Sequence, residues 1–200
     1  MNEQLIISAE KGDVERVLML LEDGADINAT DRGGRTAVVA ATYNNRTEVV
    51  KALIENGADI NIRDHRLNNV LLYAGAEGYL DIVKLAIDAG ADTRLTNRFG
   101  GIAVIPASER GHVEVVEELL SRSDTDVNHV NNLHWTALLE AVILGNGGEK
   151  HQQIVRLLIS HGADLNIADR DGLTPLMHAR QRGFREIADI LTEAGALPER

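Results

Sequence analysis

Apolar positions recur along this chain with helical spacing, in short runs broken at regular intervals by glycine. Residues 1–30 show Leu5 and Ala9, a break at Gly12-Asp13, then Val14, Val17, Leu20 and Leu21. Steps of three and four keep such residues on one helix face, so two short amphipathic helices in succession are predicted. The figure is clearest near the other end. Gly172 supplies a left-handed turn, Thr174 caps a helix, and Pro175 takes its first position, where a missing N–H costs nothing. Gly183 ends that helix, and Ile187, Ile190 and Leu191 mark the buried stripe of the next.

The breaks are periodic. Gly57-Ala58-Asp59-Ile60-Asn61 echoes Gly24-Ala25-Asp26-Ile27-Asn28 and Gly162-Ala163-Asp164-Leu165-Asn166, with shorter echoes at Gly90-Ala91-Asp92 and Gly195-Ala196. A second marker, an Asp or Asn opening each turn, falls at Asp31, Asp64, Asn97, Asn131 and Asp169, at intervals of 33, 33, 34 and 38. A period of this size is the signature of stacked units, each of which buries an apolar face only against its neighbours. The predicted fold is an all-α solenoid of helix-turn-helix units joined by hairpin-like turns. Its boundaries are expected at 31–63, 64–96, 97–130 and 131–168, with a C-terminal unit over 169–200. Residues 1–30 lack the opening turn and are expected to form an N-terminal cap, the whole being a single domain.

Asp-x-x-Gly-x-Thr-Pro-Leu at 169–176, Gly-His-x-x-Val-Val at 111–116 and the Gly-Ala-Asp-x-Asn pentapeptides resemble the ankyrin repeat, over essentially the whole chain. The segments 132–140 and 105–112, with the Gly145-Asn146-Gly147-Gly148 extension, are similar to stand-alone bacterial ankyrin proteins, which generally carry no enzyme domain. The resemblance implies a binding groove lined by the turn tips and the exposed face of the first helix of each unit.

The copies break their own rules in the middle of the chain. Leu67 and His134 stand where sister turns have glycine, Ile102 stands at a cap position, and Pro106 lies four residues into its helix. The loop at 145–150 is five residues longer than its counterparts. Rule-breaking positions are those to examine for function, although repeat arrays also tolerate imperfect copies. On the implied groove, seven arginines (32, 35, 66, 98, 110, 170 and 182) face four carboxylates (Glu77, Glu109, Glu140 and Asp171), a local surplus of positive charge on a chain of net charge −11. An acidic segment of a protein partner would be steered to such a face. Phe99 and Trp135 are two of few aromatics and fall on tips, where they either anchor a partner or pack on a neighbouring turn. The partner-binding residues expected are therefore Arg66, Arg98, Phe99, Glu109, Arg110, Trp135, Glu140 and His178. An alternative is a small-molecule or short-peptide pocket under the 145–150 loop, whose glycines would let it close.

Other chemistry is poorly supported. There is no cysteine, so thiol catalysis and disulfides are excluded. Gly145–Gly148 follows no strand and precedes no Gly-Lys-Ser/Thr, so it is not a phosphate loop. Glu109, Glu140 and His178, on successive first helices, could support acid–base chemistry, but a hydrogen-bonded ladder along the groove is the simpler expectation. The seven histidines show no ligand spacing, so no metal and no cofactor are expected. The acidic balance disfavours nucleic acid, and no apolar run approaches the roughly 18 residues of a membrane span. A monomeric, cytoplasmic, non-enzymatic interaction protein is the expectation.

Overall fold

The computed structural model describes residues 1–198. They contain twelve helices and no strand, so the all-α expectation holds. Two compact units divide at residue 98. The first holds α1 (Asn2–Lys11), α2 (Val14–Glu22), α3 (Ala37–Tyr43), α4 (Thr47–Glu55), α5 (Val70–Glu77) and α6 (Leu80–Asp88). The second holds α7 (Val104–Glu109), α8 (Val113–Arg122), α9 (Ala137–Ile143), α10 (Glu149–Ser160), α11 (Pro175–Gln181) and α12 (Arg185–Glu193).

Each unit is built the same way. In the first, α1, α3 and α5 stack in one row and α2, α4 and α6 in another; in the second, α7, α9 and α11 form one row and α8, α10 and α12 the other. The inner row is nearly all apolar and small. Ala37, Val38, Ala40, Ala41, Val70 and Ala74 have no exposed surface, nor do Val104, Ala107, Ala137, Ala141 and Val142. Alanine and valine let helices approach closely, and each buried valine or leucine is worth roughly 1.5–3 kcal/mol. The outer row buries only one stripe per helix, for example Val49, Val50 and Leu53 in α4.

The caps follow the sequence. Thr36, Asn69, Thr136 and Thr174 accept backbone N–H bonds from Val39, Leu72, Leu139 and Met177. α7 has no such cap: Ala103 occupies the position, helical in backbone and without a side-chain bond. It is the shortest helix among the described residues, six residues long, and its cap falls one position after the Ile102 expected there. Pro106 is its third residue rather than its fourth, within the turn that tolerates a missing N–H.

The turns repeat one device. The side-chain oxygen Oδ1 of Asp64 accepts the N–H groups of Arg66 and Asn68 at 2.9 Å. Asp31, Asn131 and Asp169 do the same for the residues two and four positions on. Leu67 and His134 do adopt the left-handed backbone of their glycine counterparts, with φ 60° and 68°. At Gly34 and Gly100 a side chain would also collide with the next turn, since a Cβ would sit 2.6 Å from the His65 ring and 2.2 Å from Asn132.

The pentapeptide joins neighbouring repeats. In the first unit the Asn28 and Asn61 side chains accept the N–H groups of Asp59 and Asp92, each at 2.9 Å. In the second, Asn128 and Asn166 accept those of Asp164 and Leu197, at 2.8 and 3.1 Å. Where the pentapeptide loses its asparagine, Arg94 folds back onto Asp92 of its own turn.

Candidate functional site: the turn tips and first-helix face

The eight expected partner-binding residues divide between the units. Arg66 and Arg98 belong to the first; Phe99, Glu109, Arg110, Trp135, Glu140 and His178 belong to the second.

In the first unit Arg66 is an exposed tip residue held by its backbone N–H to Asp64. Beneath it lies a network that the sequence-based residue set omits. The Tyr43 hydroxyl donates to the second oxygen of Asp64 and accepts from the Asn68 amide. Burial, and then the bond to Asp64, push the Tyr43 phenol up to about 12. Tyr73 leans on Tyr43 with ring centroids 4.2 Å apart, and Tyr79 meets Tyr73 edge-on at 6.2 Å. Arg35 bonds Asp31 at 2.9 Å, approaches Glu10 at 3.6 Å and lies 6.0 Å from the Tyr43 ring. That arginine is fully engaged. Arg98 is exposed at the end of the unit.

In the second unit Phe99 is 52% exposed, and its carbonyl accepts the Asn132 N–H at 2.9 Å. Trp135 is half-buried rather than projecting, its backbone locked to Asn131 in both directions. The exposed apolar side chains of that region are instead Leu133 and Leu144, each about half exposed, which the sequence-based set missed. Their signal was present, since a leucine at a turn tip has no apolar neighbour to cover it.

In the second unit the remaining side-chain atom of the turn residues Asn131 and Asp169 reaches nine positions on, to the first helix. Asp169 Oδ2 accepts from His178 Nε2 at 2.7 Å. Burial of Asp169 opposes its ionisation, but the Leu173 N–H and His178 outweigh that and hold its carboxyl below the usual range. At Asn131 the chemistry is reversed: its amide donates to Glu140 Oε1 at 2.7 Å. Asp with His and Asn with Glu each match donor to acceptor. Glu140 and His178 are thus each bonded to the turn of their own repeat. Glu140 is 6% exposed. Burial first, and the Glu109 carboxylate second, push its carboxyl up to about 7, with the Asn131 bond opposing.

The 145–150 loop is shorter than expected, since α10 begins at Glu149 with Gly148 as its cap. It is packed on both sides. The buried His151 ring bonds Asn146 at 3.1 Å and donates to the Glu109 carbonyl at 2.7 Å. Phe184 lies against Gly147, where a Cβ would come within 2.4 Å of the ring. Arg182 stacks over Phe184 at 4.9 Å and reaches the Gly145 carbonyl. A recess does exist in this unit, but between α8 and α10, lined by Val113, Glu117, Gln153, Arg156, Leu157 and Ser160 and by no residue of the loop.

Among the described residues no group of three His, Asp or Glu side chains could hold a metal ion, and no helix is long and apolar enough to cross a membrane.

The comparisons with known proteins agree with this architecture. A family model for ankyrin repeats in three copies matches residues 2–64, 71–169 and 107–200. The ankyrin repeat protein YahD of Escherichia coli K12 is 43% identical over 191 residues, covering 96% of this chain and 95% of that protein. The crystal structure of an ankyrin repeat domain from Acinetobacter baumannii AYE superposes with a TM-score of 0.94 at 50% identity, over 97% of this chain and 98% of that one. That of the ankyrin repeat protein EF0377 does so with 0.93 at 37% identity, over 96% and 98%. By repeat period, turn chemistry, helix stacking and these likenesses, the chain belongs to the ankyrin repeat family.

Proposed function

We propose that this protein is a non-enzymatic interaction module, monomeric and cytoplasmic, whose turn tips and first-helix face bind another protein. Ankyrin repeats generally mediate protein–protein interaction, which gives the class of activity. The observation that carries the placement is apolar exposure. Among the described residues of the second unit, the exposed large apolar side chains are Phe99, Leu133, Leu144 and Leu197. Three of those four stand on turn tips or at the end of a first helix. Exposed aromatic and aliphatic anchors on a rigid scaffold are what a partner desolvates at the centre of an interface.

In the second unit Arg170 donates to the Asn132 carbonyl at 2.8 Å and Arg182 is held by Gly145 and Phe184. These bonds to neutral groups leave both side chains charged, and Arg66, Arg98 and Arg110 are exposed, so charge favours an acidic partner segment against either unit. A pocket closed by the 145–150 loop has no observation in its favour, because that loop is bonded to the helices beside it.

Site-specific photo-cross-linking tests the placement. A photoreactive phenylalanine analogue at Leu133, expressed in the native host, is expected to trap a defined partner whose linked peptide is identified by mass spectrometry. The same analogue at Arg156, in the recess between α8 and α10, is expected to trap none. Cross-linking at Arg156 but not at Leu133 would move the site to the outer helices.

A further inference from the structure

Asn146-Gly147 is one of two Asn-Gly pairs in the chain; the other is Asn56-Gly57. In such a pair the glycine nitrogen can attack the carboxamide before it, because glycine has no Cβ to block the approach. The fold around each pair decides whether the two groups can meet, and here the two folds differ.

At Asn56 both reacting groups are tied. α4 ends there, and the Gly57 N–H donates to the Ile54 carbonyl at 3.0 Å. The Asn56 amide donates back along the helix to the Ala52 carbonyl at 2.8 Å. At Asn146 neither holds. Among the described residues the Gly147 N–H donates no hydrogen bond. The Asn146 side chain is turned forward, over the peptide that follows it. Its Oδ1 accepts the Gly148 N–H at 2.8 Å, and the His151 ring stands 3.1 Å from the same atom. The Gly148 bond fixes which carboxamide atom is the oxygen, since a second donor could not occupy that place. A Cβ on Gly148 would lie 2.9 Å from that oxygen, so glycine at both following positions leaves the carboxamide its room. Asn146 itself is exposed to water.

We propose that Asn146 is a self-modification site, converted without an enzyme to aspartate and isoaspartate through a cyclic imide. The inference is independent of the docking reading. The Gly147 nitrogen gives its proton to solvent and attacks the Asn146 Cγ, an intramolecular step favoured by the fixed turn. Negative charge gathers on Oδ1, where the Gly148 N–H already donates. The Cγ–Nδ2 bond breaks, Nδ2 takes up a proton and leaves as ammonia, and a five-membered ring closes. Water then opens the ring. Opening at Cγ gives aspartate; opening at the main-chain carbonyl carbon gives isoaspartate. One water is consumed, one ammonia is released, and no oxidant or reductant is needed. Isoaspartate lengthens the main chain by one carbon, immediately before a glycine that lies against Phe184 at φ 72°. Conversion therefore undoes the packing that holds this loop, beside the exposed Leu144.

The test keeps the purified intact protein at pH 7.4 and follows residues 146 and 56 in its digests by fragmentation mass spectrometry, with isoaspartate detected by its specific enzymatic methylation. Residue 146 is expected to gain the mass of an amide-to-acid exchange about tenfold faster than residue 56 or more, because Asn56 must first open its helix end. Isoaspartate is expected at 146. In urea sufficient to unfold the chain, the two rates should converge. Equal rates in the folded protein, faster conversion at Asn56, or conversion at neither overturns the proposal. A ratio that persists in urea also overturns it, since the preference would then belong to the local sequence and not to the fold. Asn146→Gln lengthens the side chain and disfavours ring closure, so its peptide should gain no mass at that position; a gain equal to that of the wild type would overturn the assignment to Asn146.

Discussion

Leu67 and Glu140 each hold a conformation or a charge state that costs free energy. Leu67 adopts φ 60° at a turn position where sister repeats have glycine. A side chain in the left-handed region costs about 1–2 kcal/mol, partly offset by the extra entropy glycine brings to the unfolded chain. Leu67→Gly should therefore raise stability by about 0.5–1 kcal/mol, seen as a higher urea midpoint at unchanged slope; a loss of stability would show that the 38%-exposed leucine is held by packing. Glu140 supplies a pH signature. Its folded-state carboxyl is raised from 4.5 to about 7, so the folded protein binds the proton more tightly than the unfolded chain. Its contribution is fully present below pH 4.5 and is lost as pH rises toward 7. Between those limits the wild type should lose on the order of 2 kcal/mol relative to Glu140→Gln. Paired denaturation curves at pH 5 and pH 7.5 measure that difference, and equal pH dependence would contradict it. Asp169, held low by Leu173 and His178, acts in the opposite sense, and its contribution fades only in acid.

At the scale of elements, legibility in the sequence follows local chemistry. The helix cap at Thr174 was readable because capping depends on a residue and the three that follow it. The weak cap of α7 was readable for the same reason but placed one residue early, at Ile102 rather than Ala103. The pairing of Asn131 with Glu140 was not, because the partners stand nine positions apart and only the folded turn brings them together. The packing of the loop before α10 was hidden from the sequence in a similar way. Its glycines suggested a mobile closure, whereas Gly145 and Gly147 are the places where His151 and Phe184 pack. Gly147→Ala tests this. It combines a left-handed backbone, φ 72°, with a methyl group placed against the Phe184 ring, and should cost about 2 kcal/mol or more. In the background of Phe184→Ala the steric part should vanish, so a double-mutant cycle should show coupling; strict additivity would mean that the ring does not rest on the loop.

For the whole molecule, the period of 33 residues made the family legible and left the binding surface obscure. The pentapeptide that sets the period also carries the bonds between repeats, through Asn28, Asn61, Asn128 and Asn166. Asn61→Ala should cost about 1 kcal/mol and speed hydrogen exchange at the Asp92 amide, while amides of α1 stay protected. The arginine surplus could be counted in the sequence, but the sequence does not show that Arg170 and Arg182 are bonded to Asn132 and Gly145. Exposed apolar anchors emerged only when burial separated Leu133 and Leu144 from the many leucines of the core. The central claim is that these tips bind a protein. The direct measurement is calorimetric titration of the partner trapped at Leu133 into wild-type protein and into Phe99→Asp/Leu133→Asp. A loss of affinity of about 100-fold or more is predicted, as for central anchors of an interface; unchanged affinity in a folded double variant would contradict the account.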